Sequence, residues 1–195
     1  MFEPFPTPPP GGYKIVLADP PWRFRVYGKD GQAKAPEAHY KTMCVQDLLA
    51  LNVGAIAADN SFLAMWVYDP MLPGALALAD AWGFKFVTVL FRWLKRADNG
   101  NLAFGLGYHT RGGGCEECWL FKRGKGLPVL NHSIRKEFYS ARREHSRKPD
   151  EVRGWLVDLY GDAPRIELFA RATAPGWDAW GLEVNKFNEA LHHVA

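Results

Sequence analysis

Cysteine is scarce. Cys44, Cys115 and Cys118 are the only three in 195 residues, too few for a disulfide framework, and one would be left over. A reducing, cytoplasmic setting is therefore expected. No apolar run approaches the roughly 20 residues that a membrane helix needs, so no membrane span is expected. The opening MFEPFPTPPPGGYK lacks the basic-then-apolar layout of a signal peptide. It reads as a proline-stiffened lead-in over residues 1–12, followed by one domain over 13–195. Internal repeats are absent, and so is low-complexity sequence beyond those prolines. Metal-site patterning is also thin. Cys115-x-x-Cys118 has ligand spacing, but no second Cys pair or tight His pair accompanies it, so no metal is expected. His192-His193 reads as a frayed helix end. Gly105-x-Gly107 follows no evident strand and opens no helix, which makes it a poor dinucleotide fingerprint.

What the chain does have is aromatic residues, at 14% with eight Trp, on an ordinary background of 48% apolar and 23% charged residues. Aromatics suit flat ligands and core packing alike. The net charge of +3 is unevenly spread. Residues 122–153 hold ten Lys and Arg against four acids, a surplus of six, so the remainder of the chain is acidic by three. Such a segment is either a polyanion footprint or a solvated charged loop.

Lys14–Ala18 is a short apolar run stopped by Asp19-Pro20-Pro21 and reads as a buried strand. Apolar spacing predicts a helix over Gln46–Ala58, and Ser61–Tyr68 reads as a second strand. Met71–Trp82 is a predicted helix closed by Gly83 at its C-cap. Lys85–Leu94 and Cys115–Phe121 read as strands, and 96–114 and 123–145 as long loops. Pro149 is placed first in a helix running to about Tyr160, with Asp150 and Glu151 at its positive end. A strand over Arg165–Ala170 and a last helix over about Val184–His193 complete the pattern. Strands alternating with helices imply an α/β fold, a mostly parallel sheet with helices on both faces. Its ligands would bind beyond the carboxyl ends of the strands.

The segment Asp19-Pro20-Pro21-Trp22 carries the most chemistry. Two prolines fix φ and donate no N–H, leaving carbonyl acceptors beside a carboxylate and an indole. An exocyclic aromatic amine becomes nucleophilic when acceptors take both of its hydrogens and draw its lone pair out of the ring plane. Asp19 and the Pro20 carbonyl suit that task, and Trp22 offers a surface for stacking. Holding that nitrogen in line with an electrophilic methyl would add a proximity effect.

DPPW after an apolar strand is followed by HYKTM (His39–Met43), AWGF (Ala81–Phe84), WLK (Trp93–Lys95) and GLGYHTR (Gly105–Arg111). HSRKPDE (His145–Glu151), ELFAR (Glu167–Arg171) and PGWDAWG (Pro175–Gly181) then come in order. Over roughly residues 13–187 the chain resembles the MT-A70 family of adenine-N6 methyltransferases. The resemblance implies a Rossmann-like S-adenosylmethionine-dependent methyltransferase fold, circularly permuted so that the catalytic loop precedes the main cofactor region. It also implies methyl transfer from S-adenosylmethionine to adenine N6 in nucleic acid, DNA rather than RNA for so short a form, and allows a homodimer or partner subunit. Asp19, Pro20, Pro21 and Trp22 take the catalytic roles. Tyr40, Lys95, Arg111 and Glu116 are candidates on the substrate side. Ser146, Lys148, Glu167, Phe169, Arg171, Thr173 and Glu183 are candidates around the cofactor.

Each has a plainer alternative. Lys148 is either a solvated residue before a helix or a cation for the cofactor's carboxylate. Phe169 is either core or pocket wall. Arg171 is either a surface ion pair or a ligand contact, and Glu167 either a ribose partner or a structural acid. Two departures stand out. Leu182-Glu183 occupies the place where many members carry Asn and then Gln or Glu. Gly112-Gly113-Gly114 replaces a short polar turn.

Overall fold

A computed structural model describes residues 3–22, 42–97, 99–103, 105–106, 110–112, 114–141 and 147–188. In chain order its elements are β1 (Tyr13–Ala18), α1 (Val45–Leu49), β2 (Ala57–Val67), α2 (Leu72–Ala81) and β3 (Lys85–Arg96). Then come β4 (Gly105–Leu106), β5 (Arg111–Gly112), β6 (Cys115–Arg123), β7 (Glu137–Ala141), α3 (Glu151–Tyr160), β8 (Arg165–Leu168) and β9 (Asp178–Trp180).

Seven strands form one mixed sheet in the order β7-β3-β6-β2-β1-β8-β9, and β4 and β5 form a separate hairpin. β6 runs antiparallel to β2 and β3, and every other neighbouring pair is parallel. Six strands therefore finish at one edge of the sheet, where β6 begins. Whatever follows β1, β2 and β8 in sequence meets there.

Side-chain alternation on β1 sorts the core into two halves. Val16 and Ala18 face one side with Leu48 of α1 and Ala75, Leu78 and Ala79 of α2, and Trp82 just beyond it. Ile15 and Leu17 face the other with Val152, Leu156 and Leu159 of α3. Helices thus cover both faces, as α/β patterning requires. Burying each Leu or Ile completely contributes about 1.5–3 kcal/mol. Tyr13, at the start of β1, donates its hydroxyl to Asp178 Oδ2 of β9 at 2.5 Å. The residues before β1 also dock: Phe5 lies 4.5 Å from Trp180 between ring centroids, and Trp180 donates its indole N–H to the Glu3 carbonyl.

Several sequence expectations need correction. The helix expected over Gln46–Ala58 is α1, then a 3-10 turn at Val53–Ala55, and β2 already starts at Ala57. The apolar spacing was real, since Leu48, Val53 and Ile56 are all buried, but two short segments supply it. β7 lies inside a stretch read as loop, and β9 in a stretch given no strand. Residues 182–187 form turns rather than the expected last helix; His192 and His193 lie outside the described residues. Pro149 precedes the N-cap Asp150 rather than opening α3. Gly83 and Gly161 do end α2 and α3 as expected, with φ of +87° and +86°, a region that costs an L side chain strain.

Candidate active site

The loop after β1 brings Asp19 to the strand-end edge. Trp22 N–H donates to the Pro20 carbonyl at 2.8 Å, a tight turn around Pro21, and the Pro21 carbonyl accepts from Met43 N–H. Pro20 is buried, Asp19 is partly open, and Trp22 is only 5% exposed, packed among Met43, Leu48 and Ala75. The indole expected to offer a stacking surface is a core residue here. Among the described residues its N–H has no hydrogen-bond partner.

Lys148, just ahead of α3, reaches Asp19 Oδ2 at 2.8 Å and Glu116 Oε2 at 3.3 Å. Lys95, near the end of β3, binds the other oxygen of Glu116. Four charges from four parts of the chain therefore alternate in sign: Lys95, Glu116, Lys148, Asp19. Burial raises the pKa of Asp19 while Lys148 opposes the rise, and the net shift is upward. Burial acts the same way on Glu116, but Lys148 and Lys95 outweigh it and hold Glu116 below the usual carboxylate range. Trp66, buried at the end of β2, lies under the Lys148 ammonium at 5.8 Å, a cation–π contact that steadies the cation.

A cavity of about 30 Å³ opens between these groups, walled by Asp19, Trp66, Lys148, Glu167, Phe169 and Arg171. That volume has room for a water or two, and the Lys148–Asp19 contact lies in its wall. A wider cavity of about 730 Å³ adjoins it across Arg147, Asp150, Arg153 and Phe187, and Thr173 lines its wall. Glu167 is held by Arg153 Nε at 2.5 Å, and Arg153 also binds Asp150 at 2.6 Å. Burial raises the pKa of Glu167 despite that partner. Phe169 takes φ +60° at the end of β8, a conformation a phenylalanine adopts at a cost of about 1–3 kcal/mol and keeps only under firm constraint. Part of that constraint is Gly181: a Cβ there would lie 2.8 Å from the Ala170 carbonyl oxygen, so only glycine lets the ends of β8 and β9 close together. Arg171 pairs with Glu183 at 3.3 Å, and Glu183 also binds Lys186 at 2.6 Å. Thr173 donates to Asn188 Oδ1 through its backbone N–H at 3.0 Å.

The structure thus gathers Asp19, Lys95, Glu116, Lys148, Glu167, Phe169 and Arg171 at one edge of the sheet. Tyr40 and Ser146 lie outside the described residues, as does the Arg111 side chain. Trp66 was not singled out in the sequence, and Arg147 and Arg153 only as members of the basic stretch. The i, i+3 spacing of Asp150 and Arg153 was a usable signal, whereas Trp66 sits in an unbroken apolar run that conceals which face it occupies. The basic stretch divides. Lys122 and Arg123 pair in register with Phe62 and Ser61, at the far end of the sheet from Asp19, because β6 runs backwards. Arg147, Lys148 and Arg153 are built into the site, with side chains 15% exposed. Cys115 and Cys118, three apart on β6, fall on opposite faces, the first exposed and the second buried.

A Type II methyltransferase, M.MunI, of Mycoplasma sp is 31% identical over 93% of this chain and 82% of its own length. An N(6)-adenosine-methyltransferase MT-A70-like protein of Arabidopsis thaliana is 29% identical over 90% of this chain but only 24% of its length. The N(6)-adenosine-methyltransferase catalytic subunit METTL3 of Homo sapiens is 26% identical over 90% of this chain and 29% of its length. This chain therefore spans most of the mycoplasma protein and about a quarter of the other two. The match to the family itself runs from residue 13 to residue 183, through the loop after β1, the four-charge chain and the ends of β8 and β9, and so the chain belongs to the MT-A70 family.

Proposed function

We propose that the protein transfers a methyl group from S-adenosylmethionine to the N6 amine of adenine in DNA. The observation that carries this reading is the cavity that joins Asp19 of DPPW to Lys148, Glu167, Phe169 and Arg171. These side chains fit the cofactor's chemistry: Lys148 and Arg171 offer cations for a carboxylate, Glu167 an acceptor for hydroxyl or ammonium groups, and Phe169 an apolar wall. Thr173 lines the wider adjoining cavity, and Glu183 is linked to the site through its ion pair with Arg171. The fold reading is a Rossmann-like methyltransferase sheet in permuted order. Its support is that the catalytic loop leaves β1 early in the chain while β8 and β9, the proposed cofactor strands, come last and lie beside β1.

When bound, S-adenosylmethionine supplies an electrophilic methyl on sulfur. The chain's own part is to prepare the amine. The Asp19 carboxylate accepts one N6 hydrogen, and the Pro20 carbonyl, which has a second lone pair beyond the one given to Trp22 N–H, accepts the other. Once methylated, N6 would be more acidic, and Asp19 would take its proton. Lys148 opposes the upward shift that burial imposes on Asp19 and is displaced as ligands enter. A duplex target must first be extruded, at a few kcal/mol.

DNA is favoured because the chain resembles the short bacterial members of the family, and the mycoplasma relative is matched over 82% of its length. A second reading, RNA, draws on the two relatives named as adenosine methyltransferases. The deciding experiment is transfer of labelled methyl to matched DNA and RNA pools, with Asp19→Ala as control. Label on adenine N6 of DNA, lost in the control, is expected. Label on RNA alone would move the substrate, and cofactor binding without label in either pool would call for a partner subunit. No cofactor binding at all would leave a nucleic-acid-binding subunit.

A further inference from the structure

We propose that Tyr68 is a substrate-positioning residue whose ring stacks on the target adenine beside Asp19. The inference rests on the adenine reading above. Tyr68 directly follows β2. The end of β2 lies beside the end of β1, Ala18 being paired with Met65, so Asp19 and Tyr68 leave the sheet at the same edge. On its other side the last pair of β2 with β6 is Val67 with Glu117, so Tyr68 follows directly after the strand next to the Glu116 end of β6. Tyr68 thus leaves the sheet at the edge that carries Asp19 and Glu116. The charges felt at its hydroxyl agree: after burial, Asp69 and Glu116 push its ionisation upward, so it is a neutral phenol at physiological pH.

A base held by hydrogen bonds at its amine alone would swing about that end, and an aromatic face fixes its plane. Of the described rings at this edge, three are nearly closed to a ligand. Trp22 is 5% exposed, Trp66 3% and Phe169 9%, whereas Tyr68 is 42% exposed. The backbone that presents it is stiff. A 3-10 turn at Asp69–Met71, with Pro70 inside it, follows at once, and Met71 N–H donates to the Tyr68 carbonyl at 2.7 Å. A rigidly mounted, partly open ring next to hydrogen-bond acceptors is what recognition of an extruded base requires.

The test compares wild type, Tyr68→Phe and Tyr68→Ala on an oligonucleotide carrying adenine or 2-aminopurine at the methylated position. Wild type and Tyr68→Phe should transfer methyl with similar KM and quench the 2-aminopurine fluorescence alike. Tyr68→Ala should raise the oligonucleotide KM about tenfold or more, from loss of one base–aromatic stack, and lose the quenching. Its affinity for S-adenosylmethionine should stay within twofold of wild type, which also reports an intact fold. If wild type methylates adenine and Tyr68→Ala matches it in KM and quenching, the positioning role is overturned while the adenine reading stands. A Tyr68→Phe as impaired as Tyr68→Ala would assign the effect to the hydroxyl and overturn stacking. If wild type methylates no adenine, both fall together.

Discussion

Asp19 must be ionised to accept an amine hydrogen, yet its surroundings favour the protonated form. Burial raises its pKa and Lys148 restrains the rise. Methyl transfer should therefore fall on its acid side at a pH above the ordinary carboxylate value near 3.9. Lys148→Met removes the restraint and should move that limb to higher pH, besides weakening cofactor binding; a pH–rate profile of both proteins checks it. The sign for stability is the reverse of the usual carboxylate case. The folded state holds the Asp19 proton more tightly than the unfolded chain. Stability contributed by this group is thus lost as pH rises from the unfolded value through the raised one. Asp19→Asn should flatten that part of the stability curve while abolishing transfer. The sequence disclosed Asp19 and the prolines because their chemistry is local. It could not disclose that Trp22 turns inward, since an indole beside two prolines is equally at home in a core or in a cleft. Nor could it join Lys148 to Asp19 across 129 residues.

Among elements, α3 and β8 are fastened by Arg153, which holds Glu167 on the strand and Asp150 at its own helix start. Both partners of the Arg153–Glu167 pair are largely buried. Arg153→Met should therefore destabilise the protein by about 2–4 kcal/mol, mostly through the stranded carboxylate, and Arg153→Met with Glu167→Leu should recover most of that loss. Urea unfolding midpoints at constant m would show it. The same single variant should weaken cofactor binding, because Lys148 and Phe169 lie on either side of the fastening. Much of this layout was legible: β1, β2, β3, β6, β8, α2 and α3 all lie where periodicity put them, within a few residues. β7 and β9 escaped because they are short and only one face of each is apolar, so neither builds a run long enough to stand out from a loop. The helix read over Gln46–Ala58 went wrong at Ala50, the C-cap of α1, because a separate 3-10 turn carries Val53 into the core and continues the apolar spacing.

For the molecule as a whole, the reversed strand β6 decides where charge lies. The basic surplus of residues 122–153 looks like a single patch in the sequence, but the fold sends its first members to the opposite end of the sheet. Lys122→Ala with Lys125→Ala should therefore leave oligonucleotide affinity within about twofold, and the slope of log affinity against log salt should report fewer contacts than ten cations would give. Fluorescence anisotropy across a salt series measures both. No helix among the described residues is long and apolar enough to cross a membrane.

The place of β1 also governs how the molecule comes together. It pairs with β2, next in the chain, but also with β8, some 150 residues later, and Phe5 closes on Trp180 from nearly the other end. During synthesis the loop bearing Asp19 emerges well before β8 and must wait for some 150 further residues before its other flank exists. Such distant pairings are entropically slow to close, so the nascent chain passes through a stage in which one side of its central strand is bare. A lengthened pause late in translation, or a truncated message, would release that half-built sheet with an open edge, the form most prone to associate with its own copies.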